Sequence, residues 1–317
     1  MTTTTATTAA TGTASAYDEP VVTVRDLTKS YGDRPVLEGL SFTVFRGEIF
    51  GILGPNGAGK TTAVEIIQGL RTADAGTVDV AGLDTGTDPR RLRQLVGSQL
   101  QSAALPDRIR VGEAVRLFAR LAGDVVDWRV LMADWDLTRL ERSAFRDLSG
   151  GERQRLFLGL ALVGAPEIVI LDELTLGLDP GARRQTWRLV ERVRDAGATV
   201  VLVSHYMDEV ERLCDRVGVL RDGRMETVGS PRELVTAYGG AVRTRFSAPR
   251  GLAGPLSALR GVTEVEEEST SYAVTGDPGT PVRVAGLLAG RDLWPDDFRI
   301  ERATLEDVFV ALTAGQS

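Results

Sequence analysis

The stretch Gly54-Pro55-Asn56-Gly57-Ala58-Gly59-Lys60-Thr61-Thr62 has the spacing G-x-x-x-x-G-K-T. Glycines so placed let the backbone curl until successive N–H groups converge on phosphate oxygens. A helix starting at the lysine adds the positive end of its dipole. Lys60 then supplies a point charge for β- and γ-phosphates, and the Thr61 hydroxyl is a ligand for Mg²⁺. Lys29 and Lys60 are the only lysines in a chain that otherwise uses arginine. A compact ammonium is kept where a planar guanidinium would not fit. Asp172 and Glu173 close an apolar run, Ile168-Val169-Ile170-Leu171. The first acid is placed to hold Mg²⁺ through its waters, the second to orient and deprotonate an attacking water. His205, the only histidine, ends a second such run. Ligands bind beyond the carboxyl ends of parallel strands, so Lys60, Glu173 and His205 are expected on one edge.

The elements that must position these groups are legible as α/β. An apolar strand at Ile49–Leu53 precedes the phosphate loop, and a helical pattern from Ala63 to Leu70 follows it. Short β-rich segments run from Val21 to Val44, with Tyr31 between the first of them; its ring could cover sheet edge or stack on adenine. From Val111 to Arg146 the periodicity is helical. Ser149 and Glu152 have capping-box spacing at the start of a further helix. Between the two apolar strands Arg183–Asp195 reads as the crossover helix of a βαβ unit, and Arg221-Asp222-Gly223-Arg224 as a hairpin turn. The character shifts after Leu234. Strands and helices then follow at about 242–247, 251–259, 262–267, 271–275, 281–289, 297–301 and 304–313, the first six in the order of a ferredoxin-like unit.

The bulk properties bound the function. Residues 1–20 form a Thr/Ala-rich tail, expected to be disordered, without the basic start and apolar core of a secretion signal. A net charge of −7 argues against a nucleic-acid surface. One cysteine, Cys214, permits no internal disulfide. No apolar run approaches the roughly 18 residues of a membrane span, so any spanning is expected from another polypeptide.

Leu148-Ser149-Gly150-Gly151-Glu152 strongly resembles the signature loop of ATP-binding-cassette ATPases. Other cassette landmarks match in order: Tyr31 at the adenine-stacking aromatic, Gln101 at the glutamine loop with Gln99 as its rival, Gly177-Leu178-Asp179 at the D-loop, and His205 at the switch histidine. The resemblance covers about residues 21–235. It implies a nucleotide-binding domain over 21–238, with an N-terminal antiparallel β subdomain, a mostly parallel core sheet and an α-helical insert at about 102–163. A small C-terminal α+β accessory domain would occupy 239–317.

ATP and Mg²⁺ are the implied cofactors. ATP would be held by Tyr31, Gly54, Pro55, Asn56, Gly57, Ala58, Gly59, Lys60, Thr61 and Thr62. Ser149, Gly150, Gly151, Glu152 and Asp179 would complete the site across a head-to-tail homodimer. Thr61, Gln101 and Asp172 would serve the metal; Glu173, His205 and Gln101 would serve catalysis. Two positions depart from the pattern: Glu152 stands where many cassettes have Gln, and Leu174 where Pro commonly follows the catalytic glutamate. The ending Ala303-Thr304-Leu305-Glu306-Asp307-Val308-Phe309 is similar to ATPase subunits of type-2 drug and antibiotic exporters of the daunorubicin-resistance kind. That implies a separately encoded transmembrane permease, a peripheral position on the cytoplasmic face of the cell membrane, and no nucleic-acid partner. An importer ATPase would differ only after Leu234. A translation-type cassette would carry two signatures, and a repair-type cassette a far longer insert than Val111–Arg146.

Overall fold

A computed structural model describes residues 19–317 apart from 100–103, 176, 240, 302 and 315–317. The tail expected over residues 1–20 therefore lies almost wholly outside the described residues. The chain opens on two long strands, β1 (Pro20–Tyr31) and β2 (Arg34–Phe45), and the short β3 (Ile49–Leu53). The phosphate loop joins β3 to α1 (Lys60–Ile67). Then come β4 (Ala75–Val80), β5 (Leu83–Asp84), α2 (Pro89–Leu95) and β6 (Val96–Gln99). The helical segment holds α3 (Val111–Leu121), α4 (Trp128–Asp134) and α5 (Gly150–Leu162). β7 (Ile168–Asp172), α6 (Pro180–Asp195), β8 (Thr199–Val203) and α7 (Met207–Leu213) follow. The hairpin β9 (Arg216–Arg221) and β10 (Arg224–Gly229) leads into α8 (Pro231–Tyr238). The remainder is β11 (Val242–Ser247), α9 (Ala253–Ser257), β12 (Val262–Glu268), β13 (Ser271–Gly276), α10 (Thr280–Ala289), β14 (Arg299–Glu301) and α11 (Leu305–Ala314).

The central sheet has the order β10-β9-β3-β8-β7-β6, parallel except at its β10 edge. Every residue of β3, β7 and β8 is buried, because both faces of the sheet are covered. Alternation then divides the side chains between two cores. Ile49, Val169, Leu171, Val200 and Leu202 join the helices α3, α5 and α6 on one side. Phe50, Ile52, Ile168, Ile170, Val201 and Val203 meet α1 and the antiparallel sheet β2-β1-β4-β5 on the other.

A third sheet has the order β12-β13-β11-β14, every pair antiparallel. With α9 and α10 between its strands this is the βαββαβ arrangement the sequence order suggested. It has its own apolar cluster around Phe246, Tyr272, Val274 and Val284.

Four local readings change. The four-residue strand expected at Val21–Val24 is the start of a twelve-residue one, which continues past an irregularity at Asp26 (φ 47°) because β2 and β4 pair with it on both sides. Helix α2 was not anticipated, although Asp88 caps it and Pro89 opens it. The helix expected at 251–259 is shorter, bounded by Gly251 at φ 98°. Helix α11, assigned with the accessory segment, buries Leu305 and Val308 in the cluster that covers the central sheet instead.

Candidate active site

The phosphate loop leaves the carboxyl end of β3, and its shape depends on missing side chains. A Cβ on Gly54 would stand 2.4 Å from the Leu220 carbonyl oxygen, and one on Gly59 2.8 Å from that of Val36. Lys60 folds back over the loop, its Nζ donating to the carbonyls of Gly54 (2.8 Å) and Pro55 (3.0 Å). Burial lowers the lysine's pKa, opposed by the charges of Glu173 and Asp172. Tyr31, Gly54, Pro55, Asn56, Gly57, Gly59, Lys60, Thr61, Thr62, Glu173 and His205 all line one cleft of about 780 Å³. Ala58 is buried behind the loop. At the far end from Glu173 in sequence, Tyr31 is 42% exposed, with the Arg71 guanidinium 5.1 Å from its ring centroid.

Asp172 is buried at the end of β7, and burial, then the adjacent Glu173 charge, push its carboxyl up to about 6 against the pull of Lys60. Glu173 turns off the strand in the left-handed region (φ 50°), its N–H bonded to the Val203 carbonyl at 2.9 Å. This aims its carboxylate at the end of β8, where His205 Nδ1 lies 3.5 Å from Glu173 Oε1. The turn carrying His205 is pinned from behind. Ser204 Oγ donates to the Glu209 carboxylate and accepts from Tyr206 N at 3.0 Å. Glu209 also accepts from Trp187 Nε1 of α6 at 3.1 Å, and burial raises its carboxyl above the usual range.

At the start of α5, Ser149 and Glu152 form a capping box: Glu152 Oε2 accepts from Ser149 N at 3.0 Å, and Ser149 Oγ from Glu152 N at 3.4 Å. Those bonds hold the Glu152 carboxyl below the usual range, and Arg139 donates to its other oxygen at 2.9 Å. Asp179 caps α6, accepting from Gly181 N at 2.8 Å and Ala182 N at 3.0 Å. None of Ser149, Gly150, Gly151, Glu152 or Asp179 lines the cleft of their own chain.

The family model for ABC transporter matches residues 37–176. A Nod factor export ATP-binding protein I of Burkholderia orbicola (strain AU 1054) is 38% identical over 297 residues, covering 91% of this chain and 95% of that protein. A daunorubicin resistance ATP-binding protein, DrrA3, of Streptomyces coeruleorubidus is 35% identical, covering 93% of this chain and 96% of that one. Among solved structures, an ATP-binding subunit of an ABC transporter superimposes with a TM-score of 0.62 at 28% identity, covering 69% of this chain and 93% of the other. The chain belongs to the ABC transporter ATP-binding family. Like the cassettes it matches, it is an ATPase coupled to transport.

The cleft of this cassette suits its nucleotide. Gly54 and Gly59 seat the loop against Leu220 and β2, where a Cβ on either would collide, and Thr61 and Thr62 at the start of α1 line the cleft beside it. Beyond it the charge of the partly buried Lys60 acts on Glu173 and on Asp172, which is buried at the end of β7. The Thr61 hydroxyl and that carboxylate are hard oxygen donors of the kind Mg²⁺ takes. Gln101 lies outside the described residues. Its rival Gln99 is buried at the end of β6 and lines a separate cavity of about 140 Å³ with Phe118 and Phe157, not the nucleotide cleft.

Sequence reasoning missed four residues of the cleft wall: Arg34, Val36, Met207 and Phe309. Arg34 and Val36 follow Tyr31 in an ordinary strand and carried no signal. Phe309 lay in the C-terminal stretch singled out as a mark of kinship, without any hint of its place.

Proposed function

We propose that this cassette is the ATP-hydrolysing subunit of a drug-type exporter, in which two copies close on two ATP molecules and energise a separately encoded permease. Each ATP rests its phosphates on Gly54–Thr62 of one copy and its adenine on Tyr31. Ser149, Gly150 and Gly151 of the second copy cover it, with Glu152 holding their turn and Asp179 nearby. The observation carrying this reading is Gly151. A Cβ there would meet nothing within 4 Å, and its φ is not in the left-handed region. No packing among the described residues of this chain needs a glycine at that point. A ligand brought against the exposed N-terminus of the thirteen-residue α5 does need one.

Thr61 and Asp172, with Gln101 by the family pattern, would hold Mg²⁺, which would offset phosphate charge when bound. Lys60 carries the remaining charge, Glu173 accepts the proton of the attacking water, and His205 beside it fixes the end of the γ-phosphate. Outward transport is favoured over import by its relatives, a Nod factor export ATP-binding protein and a daunorubicin resistance ATP-binding protein. Among the described residues no helix is long and apolar enough to cross a membrane. The permease holds the subunit at the cytoplasmic face, and a net charge of −7 leaves nucleic acid an unsuitable partner.

Glu173→Gln tests the mechanism. It keeps size and hydrogen bonding but removes the base, which lowers the rate by about 10²–10⁴-fold. Light scattering in Mg-ATP should show a dimer that persists in the variant and is fleeting in the unmutated protein. Hydrolysis at the full rate would move the base elsewhere, most simply to His205. Lost hydrolysis without any ATP-dependent dimer would sink the shared site for the isolated subunit.

A further inference from the structure

Helix α11 lies far beyond the span matched by the family model, yet it is anchored in the cassette. Leu305 and Val308, both fully buried, share a cluster with Val210 and Leu213 of α7 and Leu234 of α8. The Leu305 N–H donates to the Glu211 carboxylate at 2.7 Å, and the Arg221 guanidinium at the end of β9 donates to the Leu312 carbonyl. Asp307 holds the start of the helix, accepting from Thr304 N at 2.7 Å. Helical spacing puts Leu305, Val308, Phe309 and Leu312 on the face turned to the cassette. There Phe309, half-buried, reaches the wall of the nucleotide cleft beside Met207, the first residue of α7 and two residues after His205.

We propose that Phe309 and Met207 form the apolar wall at the triphosphate end of the cleft, so that α11 makes ATP recognition depend on the C-terminus of the chain. The inference rests on the reading of this cleft as the ATP site. Met207 stands two residues after His205, whose ring lies 3.5 Å from Glu173, and α11 is bonded through Leu305 to Glu211 of α7, the helix that Met207 opens. An apolar wall there excludes water from the place where the γ-phosphate is held. With less water the attraction between Lys60 and that phosphate is less screened. A diphosphate, lacking the γ-phosphate, gains little from the same wall. Phe309 is thus a specificity residue for tri- over diphosphate, supplied by a segment outside the cassette motifs.

The test compares the affinities of the full chain for Mg-ATP and Mg-ADP in the unmutated protein and in Phe309→Ala, Phe309→Leu and Met207→Ala, with thermal unfolding of each measured without nucleotide. Half the transfer free energy of the ring is at stake, so Phe309→Ala should weaken ATP about 3–10-fold and ADP less than about twofold. Phe309→Leu, still apolar, should keep most of the preference. Met207→Ala leaves α11 untouched and should shift the ATP-over-ADP ratio in the same direction. A folded Phe309→Ala with an unchanged ratio, or with ATP and ADP weakened equally, overturns the inference. If Phe309→Ala does not fold, Met207→Ala decides: an unchanged ratio overturns it. Unmutated protein that binds no ATP would instead remove the site reading on which the inference stands.

Discussion

Substituting alanine at Gly57 and at Gly59 separates the backbone cost of the phosphate loop from its packing cost. Gly59 caps α1 at φ 103° and ψ 5°, and Gly57 lies at φ 83°. Forcing an L side chain into the left-handed region costs about 1–2 kcal/mol at either position. The surroundings differ. At Gly57 the nearest atom to an added Cβ is the tip of Arg34, 3.9 Å away. At Gly59 the Cβ would stand 2.7 Å from Leu37 Cδ2 and 2.8 Å from the Val36 carbonyl oxygen. Leu37 is buried and Val36 belongs to β2, so neither yields cheaply. Such overpacking adds about 1–3 kcal/mol. Gly59→Ala should therefore lose about 2–5 kcal/mol of stability and Gly57→Ala about 1–2. Urea unfolding without nucleotide measures both. Because Gly59 adjoins Lys60, relieving the overlap also shifts the lysine, and an ATP titration should show Gly59→Ala losing more than tenfold where Gly57→Ala loses less, roughly the 1.4 kcal/mol that separates decades. Equal costs at the two glycines would refute the argument, since they would mean that β2 does not hold the loop from behind.

Two further outcomes follow from the site. Tyr31→Ala removes the ring proposed to stack on adenine, and ATP should weaken by the stacking contribution of about 0.5–1.5 kcal/mol while inorganic triphosphate is unaffected; unchanged ATP affinity in a titration would leave the ring its contacts with Arg71 and Lys29. Burial raises the Glu209 carboxyl above its ordinary 4.5, so the folded chain keeps a proton that the unfolded chain has released, and stability falls as pH rises from 4.5 through the raised native value. Glu209→Gln, which can still accept from Trp187 and Ser204, should flatten that fall in thermal midpoint, leaving the slope from the similarly raised Glu48 and Asp172; an unaltered pH profile would contradict the assignment.

Much of the site could be read without a structure because its requirements are local. A phosphate loop needs glycine and lysine at fixed spacing in one nine-residue stretch, and those residues do line the cleft. Asp172, Glu173 and His205 were legible for a related reason: a parallel strand buried on both faces is apolar throughout, so the first polar residues beyond it stand out at the sheet edge. The capping box of Ser149 and Glu152 is likewise a matter of three residues' spacing, and the bonds form as expected. Helix α2 shows a local signal overlooked, since Asp88 followed by Pro89 is an ordinary helix start.

The sequence by itself determined the phosphate chemistry, the apolar strands that carry it and the order of the C-terminal elements, because each is written in neighbours two to four residues apart. Only the tertiary structure decided that Val36 closes the back of the loop, that Glu173 leaves its strand in a left-handed turn toward His205, and that Phe309 reaches the same cleft from the far end of the chain. Those placements depend on which surfaces meet. Leu305 and Val308 of α11 are an apolar stripe that could have covered the third sheet as readily as the cassette. What directs them to α7 and α8 is the surface offered by Val210, Leu213 and Leu234, together with the bonds from Glu211 and Arg221, nearly a hundred residues away. Periodicity along a helix records that a face must be buried; it does not record against what.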